Sequence, residues 1–357
     1  MGMFKDMLGS QESLFKDHIP LDYDYLPKLI PYREPEQRHI ASCIKPLLMG
    51  RNGRNLFLYG PPGVGKTAAC KHLLKELEEE TDEVIPIYIN CWQRNTTYKA
   101  VLEMCEVLEY RFIQNKKTDE LFKDIKNILN KKSVILIFDE VDKLEETDIL
   151  YYVLEEILRK TVILITNYKE WIAELDTRIK SRLTAELLEF KPYNAKEVEG
   201  ILRIRMQYAF VEGTFSEAAL QAVVQKTVEE HDLRMGLYLM REAGNIAEDK
   251  AMRSITLEHV QIAIGKLDDF SIKKTDELDE ECKFIMGVIK GNSGKKIGEL
   301  FRLYQETGGK QAYKSFQRKI SKLAENRFIT IKKLQGGAEG MTTIVTHLGS
   351  MRKLTEF

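Results

Sequence analysis

The sequence predicts an α/β fold: a doubly wound parallel sheet, followed by an all-helical segment and a C-terminal winged helix. Three observations predict it. Residues 56–67 run strand, glycine loop, helix, with Gly60-x-x-x-x-Gly65-Lys66-Thr67 at the turn. Apolar, β-branched runs then alternate with helical periodicity as far as residue 167, the pattern of a parallel sheet wrapped by helices. Beyond Pro192 the strands stop, and only the last 75 residues return to a helix, helix, helix, hairpin succession.

The P-loop type of turn carries a mechanism. Gly60, Gly63 and Gly65 let the backbone turn tightly with its N–H groups inward, around Val64 and up to Ala68, so that they and the helix N-terminus cradle anionic phosphates. Lys66 is placed to reach the β and γ phosphates, and Thr67 to ligate Mg²⁺. Residues 84–90 alternate and read as a second strand, followed by helices over 97–113 and 116–130. Residues 133–139 form a continuous apolar run ending in Asp139-Glu140, a buried strand delivering two carboxylates to the end of the sheet where ligands bind. Asp139 is expected to hold Mg²⁺ through water, and Glu140 to orient and polarise an attacking water. After a helix over 149–159, the run 162–167 ends at Asn167, which is placed to touch the γ-phosphate or that water. The ligand expected of these motifs is therefore a nucleoside triphosphate with Mg²⁺. Ahead of the loop, four prolines between residues 15 and 35 predict an extended lead-in, and 36–49 a helix.

Helices are predicted over 196–209, 216–229, 233–253 and 257–267, and a linker or helix start over 273–281. The domain boundaries expected are 1–192, 193–272 and 273–357. Composition is that of an ordinary soluble chain: 43% hydrophobic and 31% charged over 357 residues. No run of about 18 apolar residues suggests a membrane span, and residues 1–10 lack the pattern of a secretory signal. Five scattered cysteines without Cys-x-x-Cys spacing read as reduced thiols of a cytosolic protein. The net charge of −1 hides an asymmetry: residues 283–357 hold 15 Lys and Arg against 5 Asp and Glu. A basic tail segment on an acidic body points to nucleic acid or another polyanion.

In that segment Phe316, Ile320 and Leu323 form an apolar face at helical spacing, with Lys314, Arg318 and Lys322 roughly opposite. A preceding helix over 296–306, the turn at Thr307-Gly-Gly309, and strands over 328–334 and 341–348 complete the winged helix. Its second helix would enter the major groove of double-stranded DNA, Gln317 and Ser321 at base edges and the basic residues, with Lys332 and Lys333 of the hairpin, on phosphates. The hairpin tip holds Glu339 and no arginine, which argues against a minor-groove contact there.

The order of loop, acid pair and Asn167 resembles the AAA+ ATPases, in which Asn167 corresponds to the first sensor. Asp176-Thr-Arg178-Ile-Lys-Ser181-Arg182-Leu resembles their arginine-finger region, with Arg182 favoured and Arg178 second. Within that superfamily the chain is similar to the archaeal initiators related to origin recognition subunits and Cdc6. The likeness rests on Leu26-Pro…Ile30-Pro31-x-Arg33-Glu34, on Ile89-Asn90-Cys91 with Thr97-x-x-Ala-Val, on Phe190-Lys-Pro192-Tyr193-Asn194-Ala195 with Ile201-Leu202-x-x-Arg205, and on Asp232-Leu-Arg234…Ala243-Gly244-x-Ile246-Ala247-Glu248. It implies that Tyr193 lies against the adenine, that Arg205 also contacts the nucleotide, and that Arg234 is the second sensor on a helical lid. The family's Gly-Asp-Ala-Arg is His231-Asp232-Leu233-Arg234 here. A helical insertion over 108–117, with Arg111, Lys116 and Lys117, would be the DNA-contacting element of initiators. The implied function is ATP-dependent binding of origin DNA, with slow hydrolysis as a switch. The implied partners are the replicative helicase and a second copy or paralogue on DNA, in a cytoplasmic, nucleoid-associated protein. A clamp-loader-like motor and a nucleotide-gated transcription regulator are the alternatives.

Overall fold

A computed structural model describes residues 13–276, 279–325, 328–335 and 341–347. The chain forms two compact units, one up to Ala263 and one from Ile264. The first contains α1 (Glu34–Ile44), β1 (Leu56–Tyr59), α2 (Lys66–Glu80), β2 (Val84–Asn90), α3 (Thr97–Val107), α4 (Thr118–Leu129), β3 (Ser133–Asp139), α5 (Asp148–Glu156), β4 (Lys160–Thr166), α6 (Trp171–Glu174), α7 (Thr177–Leu183) and β5 (Glu186–Glu189). The strands form one sheet in the order β2-β3-β4-β1-β5. Every pairing is parallel, with Leu56 opposite Ile163 and Asn90 opposite Asp139.

Alternation along the central strands builds two cores. Leu136 and Phe138 face the layer of α3, α4 and α5, where they meet Val101, Ile125 and Val153. Ile135 and Ile137 face the opposite layer of α1 and α2, with Ile40, Ala69 and Leu74. All seven residues of β3 are buried, which is why the sequence reads there as an unbroken apolar run. The later helices of this unit are α8 (Ala195–Ala209), α9 (Glu217–Glu230) and α10 (Leu233–Asp249), and α11 (Leu257–Asp276) begins in it and continues past its boundary. α8 opens with a capping box: Asn194 Oδ1 accepts from the Glu197 N–H at 3.1 Å, and the Glu197 carboxylate accepts from the Asn194 N–H at 2.9 Å. No helix among the described residues is long and apolar enough to cross a membrane. The five cysteines are free and buried.

The second unit holds α12 (Glu280–Gly291), β6 (Lys295–Lys296), α13 (Ile297–Glu306), α14 (Tyr313–Glu325), β7 (Ile329–Gln335) and β8 (Met341–His347). Its strands pair antiparallel in the order β6-β8-β7. Ile285, Leu300, Tyr304, Phe316, Ile320 and Leu323 meet in one core with Ile329 and Val345 of the sheet. The hairpin tip with Glu339, and Leu348, lie outside the described residues.

Several expectations are corrected. The helix expected over 97–113 stops at Val107, and 108–117 is a loop, not a helical insertion. Glu109 and Asn115 take left-handed backbone at φ 53° and 57°, which cannot continue a helix. Tyr110 and Lys116 instead fold onto Asp124 of α4, at 2.9 and 2.6 Å. The helix from Leu233 ends at Asp249, short of 253, with Ala251 left-handed at φ 52°. The helix expected over 36–49 gives way after Ile44 to a 3₁₀ turn at Lys45–Met49, because Pro46 has no N–H to offer. β4 begins at Lys160 and leaves Asn167 just beyond its end. α6, α7 and β5 have no counterpart in the sequence reading. Edge strand β5 reads Glu-Leu-Leu-Glu, which hides its alternation.

Candidate nucleotide-binding site

The glycine loop leaves the C-terminal end of β1 and enters α2, as the spacing requires. Gly63 and Gly65 are left-handed at φ 76° and 90°. At Gly63 a Cβ would stand 2.0 Å from Asp232 Oδ1 and 3.0 Å from Asp232 Cα. Gly63→Ala therefore strains the loop and displaces the N-terminus of α10. Nucleotide affinity measured by calorimetry is expected to fall about 5- to 150-fold, the loss caused by a strain of about 1–3 kcal/mol.

Lys66 is 7% exposed. Its ammonium donates to Gly60 O at 2.7 Å, Pro61 O at 2.8 Å and Asn167 Oδ1 at 2.9 Å. All three acceptors are neutral. Burial lowers the Lys66 pKa to about 8, with Asp139 opposing that shift and Arg234 adding to it. A buried cation held by neutral acceptors at a helix N-terminus fits an anionic ligand such as a triphosphate.

Beside it, Thr67 Oγ1 donates to Asp139 Oδ2 at 2.6 Å, and the Tyr88 hydroxyl donates to the same oxygen at 2.7 Å. Asp139 Oδ1 accepts from the Glu140 N–H at 2.9 Å. Threonine hydroxyl and carboxylate are hard oxygen donors, the set that suits Mg²⁺. Glu140 takes a left-handed backbone at φ 53°. Burial first, then the charges of Asp139 and Asp142, raise its pKa.

The helical lid reaches this end of the sheet. Asp232 caps α10 and binds Arg234 twice, at 3.0 Å from Nε and 2.8 Å from Nη2. The Arg234 charge bears on both Lys66 and Glu140. Tyr193 is buried, and its hydroxyl lies 2.8 Å from where a Cβ on Gly65 would stand. Tyr193 and Arg205 line an apolar cavity with Ile30, Pro31, Ala68 and Ile201, shaped by lead-in, loop and lid together. Arg205 is itself tied down, donating to Pro20 O at 3.1 Å and lying 4.8 Å from the Tyr25 ring centre.

Two residues had no site role in the sequence reading. Arg33 is buried, donates to Val64 O at 3.1 Å and to Lys191 O at 2.5 Å, and stacks 3.9 Å over the Tyr193 ring. It fastens the lead-in to the loop and to the start of the lid. Tyr88 was hidden as one more apolar position in a strand; its only signal was a hydroxyl in an otherwise aliphatic run. The expected finger residues stand apart from these groups. Arg182 pairs with Glu155, Arg178 pairs with Asp176 at 3.1 Å, and both lie over Tyr151 on the surface helix α7. In the loop 108–117, Lys116 is engaged by Asp124, whereas Arg111 and Lys117 are exposed. In the second unit Lys314, Gln317, Arg318, Ser321 and Lys322 all lie on the exposed face of α14. Lys332 and Lys333 fall within β7.

Comparison with known proteins agrees with this geometry. Residues 50–169 match the model of an AAA domain, and 199–265 that of a Cdc6 AAA+ ATPase-type lid domain. The ORC1-type DNA replication protein 1 of Archaeoglobus fulgidus is 30% identical, over 90% of this chain and 84% of that protein. Its namesake in Sulfolobus acidocaldarius is 31% identical over 92% and 89%. Among solved structures, the Aeropyrum pernix ORC1 protein in complex with DNA superposes with a TM-score of 0.70 at 28% identity, covering 95% of this chain and 94% of that one. Pyrobaculum aerophilum Cdc6p, at 18% identity and a TM-score of 0.65, shares the fold. With the loop, the acid pair and the lid arginine in place, and with relatives matched nearly end to end, the chain belongs to the ORC1/Cdc6-type family of AAA+ DNA replication proteins.

Proposed function

We propose that the chain is an ATP-dependent replication initiator that binds double-stranded DNA at origins and helps to recruit the replicative helicase. One observation carries this reading. The same chain joins a phosphate-binding site, Lys66 to Asn167, with a second unit whose helix α14 turns a basic stripe outward from a packed core. We read that unit as a winged helix, and the chain as three domains, 1–192, 193–272 and 273–357. Gln317 and Ser321 read base edges, while Lys314, Arg318, Lys322, Lys332 and Lys333 neutralise phosphates. The DNA complex of the Aeropyrum relative supports DNA as the partner.

In the nucleotide site, Gly63 to Ala68 supply backbone donors to the phosphates, and Lys66 supplies the charge. Thr67 and Asp139 hold Mg²⁺, which when bound neutralises charge on the phosphates. Tyr193 and Arg205 wall the base pocket. Glu140 orients the attacking water, Asn167 fixes the Lys66 ammonium, and Arg234 brings lid position under the control of the γ-phosphate. Arg182 acts as the finger on a neighbouring copy or paralogue, with Arg178 second. Hydrolysis to ADP is a slow reset of grip on DNA. Glu140→Gln is expected to keep nucleotide affinity and lower turnover by about 10²- to 10⁴-fold, read by single-turnover phosphate release.

The deciding experiment maps binding sites across the source genome with and without ATP. Occupancy at a replication start, dependent on Lys66, is the expected result. Occupancy confined to promoters would favour a transcription regulator and overturn the proposal.

A further inference from the structure

Where α1 meets β5, one soft, one borderline and one hard ligand converge. His39 and Cys43 are spaced i, i+4 on one face of α1, and Glu186 opens β5. Their ligand atoms lie within 4.8 Å of one another. Glu186 Oε2 is 3.0 Å from His39 Nε2 and 3.8 Å from Cys43 Sγ. The Cys43 thiol donates to Glu186 Oε2, and the enclosed His39 nitrogen stands at ion-pair distance from the same oxygen without a geometric hydrogen bond. Imidazole, thiol and carboxylate thus converge on one point. Ligands 2.0–2.3 Å from one zinc ion stand about 3.3–3.6 Å apart in a tetrahedron, between the 3.0 and 3.8 Å that separate Glu186 Oε2 from His39 Nε2 and Cys43 Sγ.

We propose that His39, Cys43 and Glu186 form a zinc site that ties α1 to edge strand β5. Imidazole, thiolate and carboxylate together suit Zn²⁺ above the hard cations of the phosphate site. The frame is already fixed: the Arg54 N–H donates to Cys43 O at 3.0 Å, and the Glu186 N–H to Asn55 O at 2.9 Å. Binding exchanges the Cys43 S–H for an S–Zn bond and releases one proton to solvent. Arg54 is the competitor, holding Glu186 Oε1 at 2.7 Å and Ser42 Oγ at 2.9 Å. It leaves Oε2 to the metal but weakens the carboxylate as a ligand. The site lies between elements whose ends carry Arg33 and, just past Phe190, Tyr193, so the tie would brace the wall of the base pocket.

The test uses the full chain, stripped with chelator and titrated with Co²⁺ in the absence of nucleotide. One Co²⁺ per chain is expected, with a thiolate-to-cobalt charge-transfer band and the visible bands of a four-coordinate ion. Cys43→Ser should abolish the charge-transfer band. His39→Ala, at a half-exposed side chain, should weaken binding by more than about 100-fold, beyond the loss typical of an outer-shell partner. Arg54→Gln should bind more tightly. Co²⁺ held by the phosphate site would show oxygen ligands alone and no such band. Absence of the band at saturation, its survival in Cys43→Ser, or an unchanged Co²⁺ affinity in His39→Ala would overturn the site and leave an ordinary histidine–glutamate pair.

Discussion

Lys66→Met is expected to lose about 10²- to 10⁴-fold in nucleotide affinity, the loss of two charge-assisted hydrogen bonds worth about 1.5–3 kcal/mol each. The side chain is buried and its ammonium has only neutral acceptors, so the unliganded fold gains little from the charge. The pH dependence exposes this. Burial holds the folded-state pKa near 8, below the value of about 10.4 for a free lysine. Between those values the unfolded chain binds the extra proton, so wild-type stability rises with pH across the window. Below about 8 the cost of keeping the buried cation is present in full. Lys66→Met removes that rise, which thermal unfolding at pH 7.5 and 10 would read directly. Affinity runs the other way. A phosphate beside Lys66 favours the charged form, so binding takes up a proton once the free site has lost it. Wild-type affinity should therefore fall as pH rises through about 8, approaching tenfold per unit, and the variant should lack that slope. A pH-independent wild-type affinity would take Lys66 off the phosphates.

The parts of this site legible in the sequence are those whose chemistry demands fixed spacing. Gly63, Gly65, Lys66 and Thr67 must sit on one turn, and Asp139 and Glu140 must end a buried strand, so their residue types betray them. Tyr88 was invisible for a topological reason. It joins Asp139 only because β2 lies beside β3 in the order β2-β3-β4-β1-β5, with Asn90 opposite Asp139. No local pattern encodes that neighbour. Arg33 was equally opaque, since its partners Val64, Lys191 and Tyr193 come from two distant turns. The expected helix over 108–117 failed because periodicity carried on into residues whose backbone turns left-handed at Glu109 and Asn115. Arg234 was placed near the phosphate site, yet its bidentate bond to Asp232 could not be foreseen. That bond ties the lid arginine to the cap of its own helix.

The second large effect concerns α14. Its inner face, Phe316, Ile320 and Leu323, is buried against Leu300 and Tyr304 of α13. Lys314, Arg318 and Lys322 are exposed on its outer face. Neutralising all three to glutamine therefore changes charge without touching the core, and thermal stability should stay within about 0.5 kcal/mol of wild type. DNA binding should respond strongly. Each phosphate contact releases counterions and adds about −0.9 to the slope of log affinity against log salt, so the triple variant should be shallower by about 2.7. At 0.1 M salt the same term is worth roughly tenfold per contact, or several hundred-fold for three. The loss should fall equally on specific and random duplexes, because phosphates carry no sequence. Gln317→Ala is the contrasting case: it should leave the salt slope unchanged and cost about 1–3 kcal/mol only on the cognate site if it reads a base edge. Lys332→Gln with Lys333→Gln tests β7 separately, by a further slope change of up to about 2. A triple variant with wild-type slope would place DNA elsewhere on the chain, and a Gln317 variant that weakens all sequences alike would remove base reading from α14.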